Sequence, residues 1–85
     1  MEDLKPIKRS LVRLMDKVHD NDMSWWFGGD RELFREQLKA CKSHFEVYKI
    51  GIDLNRYLMD EFFESSEWDE AKAMAERWVI RWKIA

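Results

Sequence analysis

Apolar residues at the start of the chain recur at intervals of three and four. Leu4, Ile7, Leu11, Leu14, Met15 and Val18 fall on one side of a helical wheel. Pro6 stands in the first turn, where a missing N–H costs little, so a helix is expected from about residue 3 to about residue 19. A second stripe, Phe34, Leu38, Cys41, Phe45 and Tyr48, is spaced 4, 3, 4, 3. Leu33, Ala40 and Val47 widen its arc to roughly half the wheel, more than one neighbouring helix requires, which marks helix 2 as the central element. Gly29 or Asp30 can cap its start. Gln37 and His44 project into the same arc and so need hydrogen-bond partners.

Gly51 is expected to end helix 2, with Asp53 capping helix 3 and Ile52 packing on Tyr57. The stripe also continues in phase through Ile52, Met59 and Phe62, so a single helix over residues 30–64 competes with that division. Helix 3 should end near Ser65. Ser66-Glu67-Trp68-Asp69 has the spacing of a capping box and opens helix 4, whose buried face reads Trp68, Ala71, Ala75, Trp78 and Trp82. Glu67, Asp69 and Glu70 crowd its start and Arg77, Arg81 and Lys83 its end, complementing the helix dipole. Within residues 78–84, Ile80, Trp82 and Ile84 alternate with Arg81 and Lys83, which is also a strand pattern, though no partner strand is legible. If the segment is helical, Ile80 and Ile84 form an outer apolar row with Ala73, away from the tryptophans. The pattern predicts an all-α fold: a small bundle of three or four helices with short connections, one domain over residues 1–85.

Composition supports a packed core. Of the 85 residues, 46% are hydrophobic and 38% charged, and the five tryptophans, two tyrosines and five phenylalanines supply large side chains to a short chain. A lone cysteine excludes an internal disulfide framework and fits a reducing compartment. There is no leader-like N-terminus and no apolar run of membrane-spanning length, so a soluble cytoplasmic protein without a membrane partner is expected.

Little of the chain reads as catalytic or ligand-binding chemistry. Cys41 and His44 have the spacing to share a metal ion, but the only other histidine is His19, so no metal site is expected. Reading Asp20-Asn21-Asp22 as the start of a calcium loop puts Trp25 where the turn needs glycine and Arg31 where the bidentate glutamate belongs. Gly28-Gly29-Asp30-Arg31 lacks the spacing and the lysine of a phosphate loop, and no cofactor is expected. Asp60, Glu61, Glu64, Glu67, Asp69 and Glu70 form a carboxylate cluster, but no complete nucleophile or metal constellation is legible with it; a carboxylate-based enzyme is a remote alternative, and the chain is read as non-enzymatic.

Two features point to a macromolecular partner. Lys5, Arg9, Arg13 and Lys17 recur every fourth residue opposite the apolar stripe of helix 1. Trp25, Trp26 and Phe27 are adjacent and precede Gly28-Gly29, so regular geometry cannot turn all three inward. The first functional reading is therefore a small protein that binds a larger protein and modulates or inhibits it, through Trp25, Trp26 and Phe27 together with Ile80 and Ile84. Self-association through the outer row is its companion. The alternative is nucleic-acid binding by Lys5, Arg9, Arg13 and Lys17 with a loop tryptophan stacking on a base, which a net charge of −2 makes the less favoured.

Overall fold

A computed structural model describes residues 3–20 and 31–83. They form four α-helices: α1 (Lys5–Asp20), α2 (Arg31–Ala40), α3 (His44–Glu61) and α4 (Asp69–Trp82), the last preceded by a single 3-10 turn over Ser66–Trp68. No strand occurs among the described residues, and residues 78–82, which the alternating pattern left open to strand, are helical. Trp25, Trp26, Phe27 and Ile84 lie outside the described residues.

α1 follows its stripe closely. Ile7, Leu11, Leu14, Met15 and Val18 are buried and Leu4 packs at their edge. The Asp3 carboxylate accepts the Lys5 backbone N–H at 3.0 Å, satisfying one of the donors that a helix start leaves unpaired.

The middle of the chain departs from expectation. Helix 2 was expected to continue to Gly51, but the chain breaks at residues 41–43, and neither that boundary nor one helix over 30–64 forms. The Cys41 backbone N–H donates to the Leu38 carbonyl at 3.1 Å, tightening the last turn of α2. The Cys41 thiol donates to the Gln37 carbonyl at 3.3 Å. Ser43 then caps α3, its hydroxyl accepting the Glu46 N–H at 3.2 Å, while the Glu46 carboxylate reaches back to the Lys42 N–H at 3.0 Å.

This break resets the helical phase. Phe34, Leu38 and Cys41 stay buried, but Phe45 is 61% exposed and Gln37 faces solvent. The segment taken as one central helix is thus two. α1, α3 and α4 each pack extensively on one another, and the closest association is between α3 and α4; α2 approaches the others less.

Gly51 lies inside α3, so Asp53 does not cap a helix. A Cβ at Gly51 would collide with the six-membered ring of Trp78, so the glycine makes room for that ring against the α3 backbone. Tyr48 stacks on the same ring, with centroids 6.1 Å apart. α3 ends at Glu61, before the expected Ser65, and the Phe62 N–H still donates to the Leu58 carbonyl. The Ser66 capping box does not form: the 3-10 turn places Trp68 at the start of α4, with no side-chain cap there. The tryptophan face itself is as expected. Trp68, Ala71, Ala75 and Trp78 are buried, and Trp82 packs at the core's edge.

Candidate binding cleft between α1 and α4

α1 and α4 meet along an apolar seam. Its sides open into a surface cleft of about 410 Å³. Leu14, Met74, Trp78 and Trp82 supply its apolar lining, and Ser10 contributes a hydroxyl. Arg13 of α1 and Arg77 and Arg81 of α4 supply its charge; among the described residues no carboxylate lines it. Three guanidiniums on an apolar, tryptophan-containing surface combine attraction for anionic groups with area for an apolar side chain.

The cleft floor is tied across the two helices. The Trp78 indole N–H donates to the Ser10 hydroxyl at 2.8 Å, and that hydroxyl donates to the Ile7 carbonyl at 2.9 Å. The ring is thereby fixed from three sides: Ser10 through its N–H, Tyr48 on its face, and Gly51 against its edge. Trp82 is positioned from α3, because His44 Nε2–H donates to the Trp82 carbonyl at 2.7 Å, an acceptor that a helix C-terminus leaves open. Arg81 sits with its guanidinium carbon 5.3 Å from the Trp82 ring centroid, within cation–π range. The Trp82 indole N–H is buried without a hydrogen-bond partner among the described residues, a donor left over at the cleft wall.

The four bases read from α1 are all exposed. The fold gives them different surroundings. Arg13 enters the cleft, Lys17 pairs with Glu70 of α4 at 3.7 Å, and Arg9 lines a separate groove against α2. Lys17 and Glu70 are 44% and 73% exposed at their side chains, so this pair contributes at most about 1 kcal/mol. Ile80 is 69% exposed, on the outer side of α4 as its row required. Sequence reasoning missed Arg77 and Arg81 as site residues. They were read as complements to the helix dipole, although their four-residue spacing, like that of the α1 bases, could have marked a shared flank.

Other chemical candidates disperse. Cys41 and His44 direct their polar atoms to different carbonyls, those of Gln37 and Trp82. No group of three or more metal-binding side chains occurs among the described residues. The six carboxylates of residues 60–70 are exposed, and none lines the α1/α4 cleft. Burial pushes the Cys41 thiol above its ordinary pKa, with Glu46 adding to the effect and Lys8 opposing it; burial, then Glu61, raises the Tyr57 hydroxyl. Both shifts favour the neutral form and give neither residue an activated nucleophile. No described helix is long and apolar enough to cross a membrane. No known family, curated protein or solved structure matches the chain.

Proposed function

We propose that this chain is a non-enzymatic cytoplasmic protein that docks on a larger protein and modulates or inhibits it, with the α1/α4 cleft as its principal contact. The observation that carries this reading is the cleft itself: Arg13, Arg77 and Arg81 over Leu14, Met74 and Trp78, with no carboxylate lining it among the described residues. Arginine and tryptophan are among the residue types that dominate binding energy at protein interfaces, methionine is enriched there, and a basic rim selects an acidic partner surface. Trp25, Trp26 and Phe27, with Ile80 and Ile84, remain part of the proposal as further contact residues on the grounds read from the sequence, and self-association through Ile80 and Ile84 remains its companion.

Nucleic-acid binding is the second reading, favoured by one observation: arginines and a tryptophan share the cleft, the combination that grips phosphates and stacks on unpaired bases. Against it, Lys17 is paired with Glu70, and the Lys8 ammonium donates to the Cys41 carbonyl at 3.0 Å, so the α1 bases do not form an uninterrupted phosphate track.

The test is capture of binding partners from the native host by the tagged protein and by its Arg77→Glu/Arg81→Glu variant, with and without nuclease. Capture of a protein that survives nuclease and is lost in the variant supports the protein-binding reading. Capture abolished by nuclease replaces it with the nucleic-acid reading, and capture unaffected by the variant removes the cleft from either.

A further inference from the structure

A second groove runs along the opposite flank of α1. Lys8, Arg9 and Val12 of α1 face Arg35, Leu38 and Lys39 of α2 across an open volume of about 230 Å³. Its composition repeats that of the α1/α4 cleft: an apolar floor, here Val12 and Leu38, between basic walls, with no carboxylate lining it among the described residues. Among the described residues, no ion pair engages Arg9, Arg35 or Lys39. Lys8 is held by the Cys41 carbonyl, which leaves three of the four cations for a ligand. Glu32 and Glu36 share a hollow with Arg35 and Lys39 on their other side, so the groove is most attractive to an anion approaching from α1.

Between the two grooves stands the exposed crest of α1. Arg9 belongs to one groove and Arg13 to the other, about one helical turn apart along an element that is about 10–12 Å across with its side chains. An extended chain advances about 3.3 Å per residue with alternate side chains on opposite faces, so a few residues suffice to cross from one groove to the other.

Resting on the proposed protein-binding reading, we infer that the partner contributes an extended acidic segment that crosses α1, placing one apolar side chain in each groove and carboxylates against Arg9, Arg13, Arg35, Lys39, Arg77 and Arg81. Occupation of the first groove raises the effective concentration of the segment at the second, so affinity depends on the span as well as on composition. A segment with the same side chains but too short to bridge gains nothing from the second groove.

The experiment titrates the whole protein with two synthetic peptides in which successive leucines are separated by three glutamates, so that the leucines share a face with every second glutamate. One is long enough to cross α1 and the other fits a single groove, and binding is read by tryptophan fluorescence and calorimetry. The inference expects the long peptide to bind roughly tenfold or more tightly than the short one, with that advantage lost in Arg35→Glu/Lys39→Glu. Equal affinity of the two peptides, or a long-peptide affinity untouched by Arg35→Glu/Lys39→Glu but reduced by Arg77→Glu/Arg81→Glu, overturns the second groove and leaves the first reading standing. Failure of both peptides to bind, with a single-stranded oligonucleotide binding instead and weakening steeply in salt, overturns both. Circular dichroism of the charge-reversal variants, whose altered side chains are all exposed, separates lost binding from lost folding.

Discussion

The Trp78 ring of α4 occupies the space that a side chain at Gly51 of α3 would need, which couples the two positions. In an ordinary helix interior, Gly→Ala gains about 1 kcal/mol, but here the new methyl would meet a ring that is stacked on Tyr48 and hydrogen-bonded to Ser10. Overpacking should dominate, and Gly51→Ala is expected to destabilise by about 1–3 kcal/mol in urea denaturation. Ser10→Ala should cost about 1 kcal/mol, because it removes the part-buried acceptor of the Trp78 indole N–H. The pH dependence follows from two acids whose folded pKa values are raised, Cys41 and Tyr57. For such groups the folded state holds the proton more tightly, so their contribution is full below the unfolded pKa and is lost as pH rises through the folded value. The urea midpoint should therefore fall above about pH 8.5, and Cys41→Ala/Tyr57→Phe should reduce that fall. Glycine at position 51 was visible in the sequence, but its role was not. A glycine after a helical stripe looks like a stop signal until the ring that occupies its missing side chain is known.

At the scale of elements, the break between α2 and α3 was the least legible feature. Phe34, Leu38 and Cys41 keep a helical spacing with Phe45 and Tyr48 across the break, so periodicity alone cannot detect it. The local signal was present in Ser43-His44-Phe45-Glu46, which has capping-box spacing, and the structure uses it. Ser43→Ala should cost about 1 kcal/mol, measured by urea denaturation, and should raise amide exchange at the start of α3. The opposite error occurred at Ser66-Glu67-Trp68-Asp69. The spacing suggested a side-chain cap, but burial of Trp68 at 8% exposure and its packing 4.6 Å from the Phe62 ring favour a 3-10 turn that brings the tryptophan to the core. α1 and the buried face of α4 were legible almost residue by residue, because each is a single amphipathic helix with one clear apolar stripe.

At the scale of the whole molecule, a net charge of −2 conceals a marked division. The acids of residues 60–70 are exposed around the end of α3 and the start of α4, while Arg13, Arg77 and Arg81 gather in one cleft and Lys8, Arg9, Arg35 and Lys39 in another. The α1 bases could be read from sequence, but their assembly with bases from α2 and α4 depends on helix packing, which no local spacing reports. Ile80, exposed and outside both grooves, provides a contrast: Ile80→Asp should change affinity for an acidic segment by less than about threefold, and should weaken any self-association seen by sedimentation. The central claim is that the α1/α4 cleft receives an acidic partner segment. Its most direct test is heteronuclear NMR of the isotope-labelled protein during titration with the long glutamate–leucine peptide. Shifts should concentrate at Ser10, Arg13, Arg77, Arg81 and the Trp82 indole N–H; shifts confined to Ile80 and its neighbours, or none at the cleft under saturating peptide, would rule out docking there.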